Sequence, residues 1–158
     1  MKTLSSHDAR IQQERASLKV IAQNAESDHR FTFDGLDLVI YKEVFSPHYF
    51  NGWRTFTPKL RELLNKGDDF LEVGVGSGIT ALLLAKDGVN VTATDISPVA
   101  VKNTNVNANN NNIRLESVFL SDVYDGFCLD KKFDVIYWNP PWMETLENEK
   151  INNVLEYG

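Results

Sequence analysis

Three segments predict an α/β fold for this 158-residue chain, a parallel sheet with helices on both faces. Phe70-Leu71-Glu72-Val73 runs into Gly74-Val75-Gly76-Ser77-Gly78 and then into the apolar stretch Ile79-Thr80-Ala81-Leu82-Leu83-Leu84-Ala85-Lys86, which reads as strand, glycine loop and helix. Val89-Asn90-Val91-Thr92-Ala93-Thr94-Asp95 alternates, ends in an acid and meets Ser97-Pro98, a helix N-cap and first-turn pair. Phe133-Asp134-Val135-Ile136-Tyr137-Trp138 is apolar enough for a strand buried on both faces and stops at Asn139-Pro140-Pro141-Trp142.

From the amino terminus, Ser6 to Ala25 is polar with a narrow apolar stripe (Ile11, Leu18, Val20, Ile21, Ala25), the pattern of a helix. Arg30-Phe31-Thr32-Phe33 and Leu36-Asp37-Leu38-Val39-Ile40-Tyr41 flank Asp34-Gly35, the signal of a type I′ hairpin. Phe45, Tyr49, Phe50, Trp53 and Phe56 concentrate five aromatics in a chain that averages 11%. Such a segment must bury something, either as a flap over bound molecules or by packing onto the following domain. Thr57-Pro58 starts a helix that ends at Lys66-Gly67. Asn109 to Asn112 reads as the loop before a third strand, Leu115 to Leu120, which ends at Ser121-Asp122. The resulting organisation is an N-terminal helix, hairpin and aromatic flap over residues 1–56 and a core over 57–158, without internal repeats.

Open α/β sheets bind ligands beyond the carboxyl ends of their strands, and the chemically informative residues fall there. Glycines at alternate positions, Gly74, Gly76 and Gly78, let the backbone turn sharply and a ligand approach where a Cβ would collide. The dinucleotide fingerprint needs a third small residue five positions after its first glycine; here that position is Ile79, which disfavours a pyrophosphate loop and with it a nucleotide-dependent oxidoreductase. Asp95 can accept both hydroxyls of a ribose or merely cap a helix, and Asp122 is a second strand-end carboxylate or a turn residue. Asn139 is a rigid amide acceptor, because the two prolines after it fix two φ angles and remove two N–H donors. That turn suits a planar amino group, and equally it can be a plain strand terminator.

Taken together, these residues give a chain that resembles the class I S-adenosylmethionine-dependent methyltransferases, within them the amino-methylating group marked by Asn-Pro-Pro and an aromatic. It is most similar in pattern to the release-factor glutamine methyltransferases, which share the Val-x-x-Pro segment found here as Val44-Phe45-Ser46-Pro47. The resemblance spans Val44 to Trp142 and implies a Rossmann-like sheet ordered 3-2-1-4-5-7-6. It implies S-adenosylmethionine as cofactor, with Glu72, Gly74, Gly76 and Gly78 at its methionine part, Asp95 at the ribose, Ile96 beside it, Asp122 at the adenine amino group, and Asn139 reaching both cofactor and acceptor. It also implies that Asn139 and the Pro140 carbonyl accept hydrogen bonds from the acceptor nitrogen, with Trp142 in the place those enzymes give to tyrosine. The acceptor implied first is a protein glutamine. A nucleic-acid base or a small amine is the alternative, and a catalytically idle cofactor-binding module is the third reading.

The chemistry has its own reason. An amide nitrogen is a poor nucleophile because its lone pair is delocalised; two acceptors holding its two N–H groups would aim the lone pair and stabilise developing charge without a strong base. Trp142 would offer a face for stacking.

Composition bounds the rest. A 42% hydrophobic content supports one domain with a real core. The single cysteine, Cys128, suits a reducing compartment, residues 1–10 contain no apolar leader, and no run approaches a membrane span, so a cytoplasmic location is expected. His7, His29 and His48 lack metal-ligand spacing, and no metal is expected. Residues 1–66 carry 10 Lys and Arg against 8 Asp and Glu, and residues 67–158 carry 6 against 14. An acidic half favours a protein substrate over a phosphate backbone. Only four of the seven strands can be found, so the sheet is expected to be C-terminally incomplete, with strand 133–138 as an edge that missing strands or a partner chain cover.

Overall fold

The computed structural model describes residues 27–125 and 131–140. The helix expected over 6–25, Cys128, Pro141, Trp142 and the stretch 143–158 lie outside them. Residues 27–139 form one compact unit. In chain order its elements are β1 (His29–Phe33), β2 (Leu36–Ile40), α1 (Trp53–Leu63), β3 (Asp69–Val73), α2 (Ile79–Lys86), β4 (Asn90–Asp95), α3 (Pro98–Asn110), β5 (Ser117–Leu120) and β6 (Val135–Trp138).

The four later strands form a parallel sheet in the order β5-β4-β3-β6, which is the 3-2-1-4 portion of the expected order. β3 and β4 are central, and Phe70, Leu71, Val91 and Ala93 are buried. The uniformly apolar sequence of α2 reflects burial around its whole circumference. Ala81 and Leu84 pack with Phe70, Val91 and Ala93 of the sheet. Ile79, Leu82 and Leu83 pack with Phe31, Leu36, Leu38 and Ile40 of the hairpin and with Trp53. The hairpin is therefore a layer of the core, and burial of its four apolar side chains stabilises the fold by roughly 1.5 to 3 kcal/mol each. Its turn has Asp34 at φ 49° and Gly35 at φ 74°, the positive pair that a type I′ turn requires.

Several boundaries differ from expectation. α1 starts at Trp53, not at Thr57, and Pro58 sits inside it. Main-chain carbonyls of Asn51 and Gly52 already take the N–H groups of Arg54, Thr55 and Phe56, and the buried Trp53 indole donates to the Pro47 carbonyl at 2.9 Å, so the turn is closed before the proline arrives. The helix ends before Lys66-Gly67 because Leu64 is extended (φ −98°, ψ 141°) and buried. Asn109 and Asn110 are helical, not loop, since α3 runs on to Asn110. β5 begins at Ser117, where Glu116 N–H has already joined the ladder through the Val91 carbonyl at 2.9 Å. β6 starts at Val135, not at Phe133; as expected it is a sheet edge among the described residues, with Ile136 51% and Trp138 48% exposed although its apolar sequence suits burial on both faces. Of the five clustered aromatics Trp53 is buried, while Phe45, Tyr49 and Phe56 are exposed.

Candidate cofactor and acceptor site

The glycine loop leaves β3 at the carboxyl end of the sheet. Gly74 and Val75 donate to the Thr94 carbonyl at 2.8 and 3.0 Å, which ties the loop to the end of β4. Gly76 has φ 57°, and a Cβ there would meet nothing within 4 Å; its glycine is required by the backbone conformation, and the space beside it is open. Gly78 is different. With φ 84° it lies against α3, and a Cβ would stand 2.9 Å from Thr104 Cγ2. Ile79 is buried in the hairpin cluster, so the position that a pyrophosphate loop keeps small is filled by core packing.

Glu72, in register with Ala93 and Tyr137, is buried. Its carboxyl accepts a hydrogen bond from the Ala81 N–H in the first turn of α2, a helix end that has no side-chain cap of its own. Burial pushes this carboxyl up to about 8, against the lowering effect of the Ala81 bond and with a further upward push from the Asp95 charge. Oε2 has no hydrogen-bond partner. The neighbouring Tyr137 hydroxyl is raised to about 12, by burial and then by the Glu72 charge.

Asp95 ends β4 and both its oxygens are engaged: Oδ2 accepts from Gly76 N–H and Oδ1 from Ser97 N–H, each at 2.9 Å. Ser97 caps α3, accepting from Ala100 N–H at 3.4 Å ahead of Pro98, as the sequence predicts. Ile96 is exposed beside them. Ser121 N–H bonds the Asp95 carbonyl at 3.0 Å, so the exposed Asp122 follows at the adjacent strand end.

Asn139 follows β6. A Cβ on Gly74 would lie 3.7 Å from the Trp138 indole nitrogen, and a Cβ on Gly52 would lie 3.7 Å from Asn139 Nδ2. The end of β6 thus lies beside the glycine loop at one residue and beside the start of α1 at the next. The structure gathers Glu72, Gly74, Gly76, Gly78, Asp95, Ile96, Asp122 and Asn139 along the carboxyl edge of one sheet; Trp142 is outside the described residues. Sequence reasoning missed Asn103, Thr104 and Asn107, which are fully buried on α3: Thr104 and Asn107 hold the loop from behind through the Gly76 and Ser77 carbonyls, and Asn103 binds the hairpin. Their signal was available as polar residues three and four apart on an otherwise packed helix face.

This edge offers open space at Gly76, an unpaired buried acceptor on Glu72 and strand-end carboxylates, a donor set that fits a cationic amino acid joined to a nucleoside. The fold is that of the S-adenosylmethionine-dependent methyltransferases. Residues 35–155 match the family model of the methyltransferase small domain, and the chain belongs to that family. A Methanocaldococcus jannaschii protein provisionally named a protein N5-glutamine methyltransferase is 36% identical over 127 residues, covering 79% of this chain and 60% of its own length. A tRNA1(Val) (adenine(37)-N6)-methyltransferase from a Flavobacteriaceae bacterium is 37% identical over 84 residues, 52% of this chain and 36% of its own. Release factor glutamine methyltransferases match as well. Among solved structures, the Pyrococcus abyssi tRNA (uracil-54, C5)-methyltransferase in complex with S-adenosyl-L-homocysteine superposes with a TM-score of 0.56 at 25% identity, covering 70% of this chain and 27% of that one. The chain spans 60% and 36% of the lengths of the first two relatives. Among the described residues no helix is long and apolar enough to cross a membrane.

Proposed function

We propose that this chain binds S-adenosylmethionine along the Glu72 to Gly78 loop, Asp95, Ile96 and Asp122, and methylates a planar amide or amino nitrogen held by Asn139, with a protein glutamine as the first acceptor. When bound, the cofactor supplies an electrophilic methyl on a sulfonium. Glu72 offers an unpaired oxygen to its cationic end, Asp95 keeps the loop closed while retaining lone pairs for hydroxyls, and Asn139 accepts an N–H of the acceptor. The Pro140 carbonyl, an acceptor like any backbone carbonyl, takes the second. In the transfer the sulfonium–methyl bond would break, leaving a neutral thioether, as the N–C bond forms, and the acceptor nitrogen would give up one of those protons to solvent.

The observation that carries this reading is Asn139 at the carboxyl end of the strand whose last residue, Trp138, abuts Gly74 of the loop. The glutamine acceptor draws support from the name of the Methanocaldococcus relative, and a base amino group is kept as second reading because a relative of similar identity is named for adenine N6. We place the protein in the cytoplasm, in keeping with its lone Cys128. The exposed edge of β6 we assign to further strands or another chain.

The test is methyl transfer from labelled cofactor by the full chain to three acceptors: a glutamine-bearing peptide, an adenine-containing RNA and a small amine. Label in the peptide alone is expected; label in the RNA alone establishes the second reading, and no label in any of them supports an idle binding module. Asn139→Ala should lose about a hundredfold or more in turnover, the scale for deleting one preorganised polar group, while keeping cofactor affinity. Turnover at the parental rate would make Asn139 a turn residue.

A further inference from the structure

Asn103 and Asn107 on α3 and its C-cap residue Asn111 stand four residues apart, so their amides form a row with a spacing of about 6 Å along the helix. The N–H groups on one edge of a strand recur every second residue, at about 6.6 Å. The near match lets the helix dock on the open edge of β2 as though it were a strand. Asn103 Oδ1 accepts from Tyr41 N–H at 3.1 Å, Asn107 Oδ1 from Val39 N–H at 2.8 Å, and Asn111 Oδ1 from Asp37 N–H at 2.8 Å. Asn103 Nδ2 returns a bond to the Val39 carbonyl at 2.7 Å and Asn111 Nδ2 to the Asp37 carbonyl at 3.0 Å.

Asn107 breaks the pattern. Its Nδ2 turns away from the hairpin and donates to the Ser77 carbonyl in the glycine loop at 2.9 Å, within a buried site. One turn earlier, Thr104 Oγ1 donates to the Gly76 carbonyl at 3.0 Å, and the same side chain limits Gly78 sterically. Two consecutive loop carbonyls are thus drawn towards α3, while the Gly76 N–H is drawn to Asp95. A loop of three glycines at positive φ has many alternative conformations, and these bonds select one of them.

We infer that Asn107 and Thr104 are positioning residues for the cofactor loop, and that Asn107 couples the seating of the N-terminal hairpin to cofactor binding. The inference rests on the reading that this loop holds the cofactor. Coupling is reciprocal: if the hairpin bond at Val39 helps to set the loop, filling the loop must tighten the bond at Val39. Tyr41, held in the same way by Asn103, has no such link and serves as the internal control.

The experiment measures S-adenosylhomocysteine affinity of the full chain by calorimetry, and hydrogen exchange of the Val39 and Tyr41 amides with and without it. Asn107→Asp, measured at a pH where its carboxylate is ionised, keeps the acceptor for Val39 N–H and loses the donor to Ser77. Thr104→Val keeps the shape and loses the donor to Gly76, and Thr104→Ser restores it. In the parental chain, ligand should protect Val39 more than Tyr41. In Asn107→Asp that difference should vanish and Kd should rise roughly tenfold, the scale of one buried hydrogen bond. Thr104→Val should weaken binding comparably, and Thr104→Ser should recover it. Should Asn107→Asp not fold, the threonine pair decides alone: parental affinity in Thr104→Val, or no recovery in Thr104→Ser, overturns the inference. Parental affinity in a folded Asn107→Asp also overturns it. A parental chain that binds no S-adenosylhomocysteine overturns the cofactor-loop reading first, and this inference with it.

Discussion

Glu72→Gln separates the proton held by the site from the shape of the site. The unfolded chain loses this proton near 4.5 and the folded chain near 8. Below pH 4.5 the group is protonated in both states and costs nothing. As pH rises through the interval, the unfolded state gives up its proton while the folded state keeps it, so stability falls with each unit by about 1.4 kcal/mol and levels off above 8. At pH 7 the loss is about 3 kcal/mol. Glutamine has nearly the same volume and still accepts from Ala81 N–H, so the variant removes this linkage without opening a cavity. Urea melts between pH 5 and 8 should show the parental chain losing stability relative to Glu72→Gln, the gap widening to about 3 kcal/mol by pH 7. A cation bound near Oε2 would favour the ionised form, so cofactor affinity in the parental chain should rise over the same interval. Calorimetry in two buffers of different ionisation heat should record proton release, absent in the variant. Parallel stability profiles for the two proteins would refute the buried, proton-holding carboxyl.

Gly76→Ala should cost about 1 kcal/mol of stability, since only the φ of 57° opposes it and no atom lies within 4 Å, yet it should weaken cofactor binding tenfold or more; unchanged binding would show that the open space is not the ligand's. Asp95→Ala removes the acceptor for Gly76 and Ser97 N–H and should lower cofactor affinity by roughly ten- to a hundredfold, the worth of charge-assisted bonds, as read by calorimetry. The exposed β6 edge should make the chain self-associate in light scattering over a concentration series, and Ile136→Lys should suppress it; a parental chain that stays monodisperse throughout would contradict that expectation.

The legible parts of the fold are those where one local rule meets no competitor. Asp34-Gly35 specifies its turn because positive φ is needed at both residues, and Ser97-Pro98 specifies a helix start because the hydroxyl and the ring each suit their position. Pro58 misled because a proline normally begins a helix, whereas here the Trp53 indole and the Asn51 and Gly52 carbonyls had begun it one turn sooner. The run 133–138 was legible as an edge only from the strand count, because apolar content reports what a strand can bury, not which neighbours cover it. The asparagines of α3 show in the sequence only as polar residues three and four apart on a packed helix face; their partners, backbone groups of the hairpin 62 to 74 residues away and the Ser77 carbonyl 30 residues away, are named by no local pattern.

The double use proposed for Asp95, as loop tie and ribose acceptor, is consistent with counting lone pairs. A carboxylate offers about four acceptor sites, and the Gly76 and Ser97 N–H groups take one on each oxygen. One site on each oxygen is left, enough for two hydroxyls, so a ribose can bind without displacing either loop bond. The bonds that close the loop also fix the carboxylate plane, which means the acceptor geometry exists before the ligand arrives and little ordering is left to be done on binding. Thr104 and Asn107 act on the same loop from its far side through Gly76 and Ser77 carbonyls. Gly76 is accordingly held at both its N–H and its carbonyl, and the conformational freedom that its missing Cβ would otherwise confer is restrained by neighbours on β4 and α3.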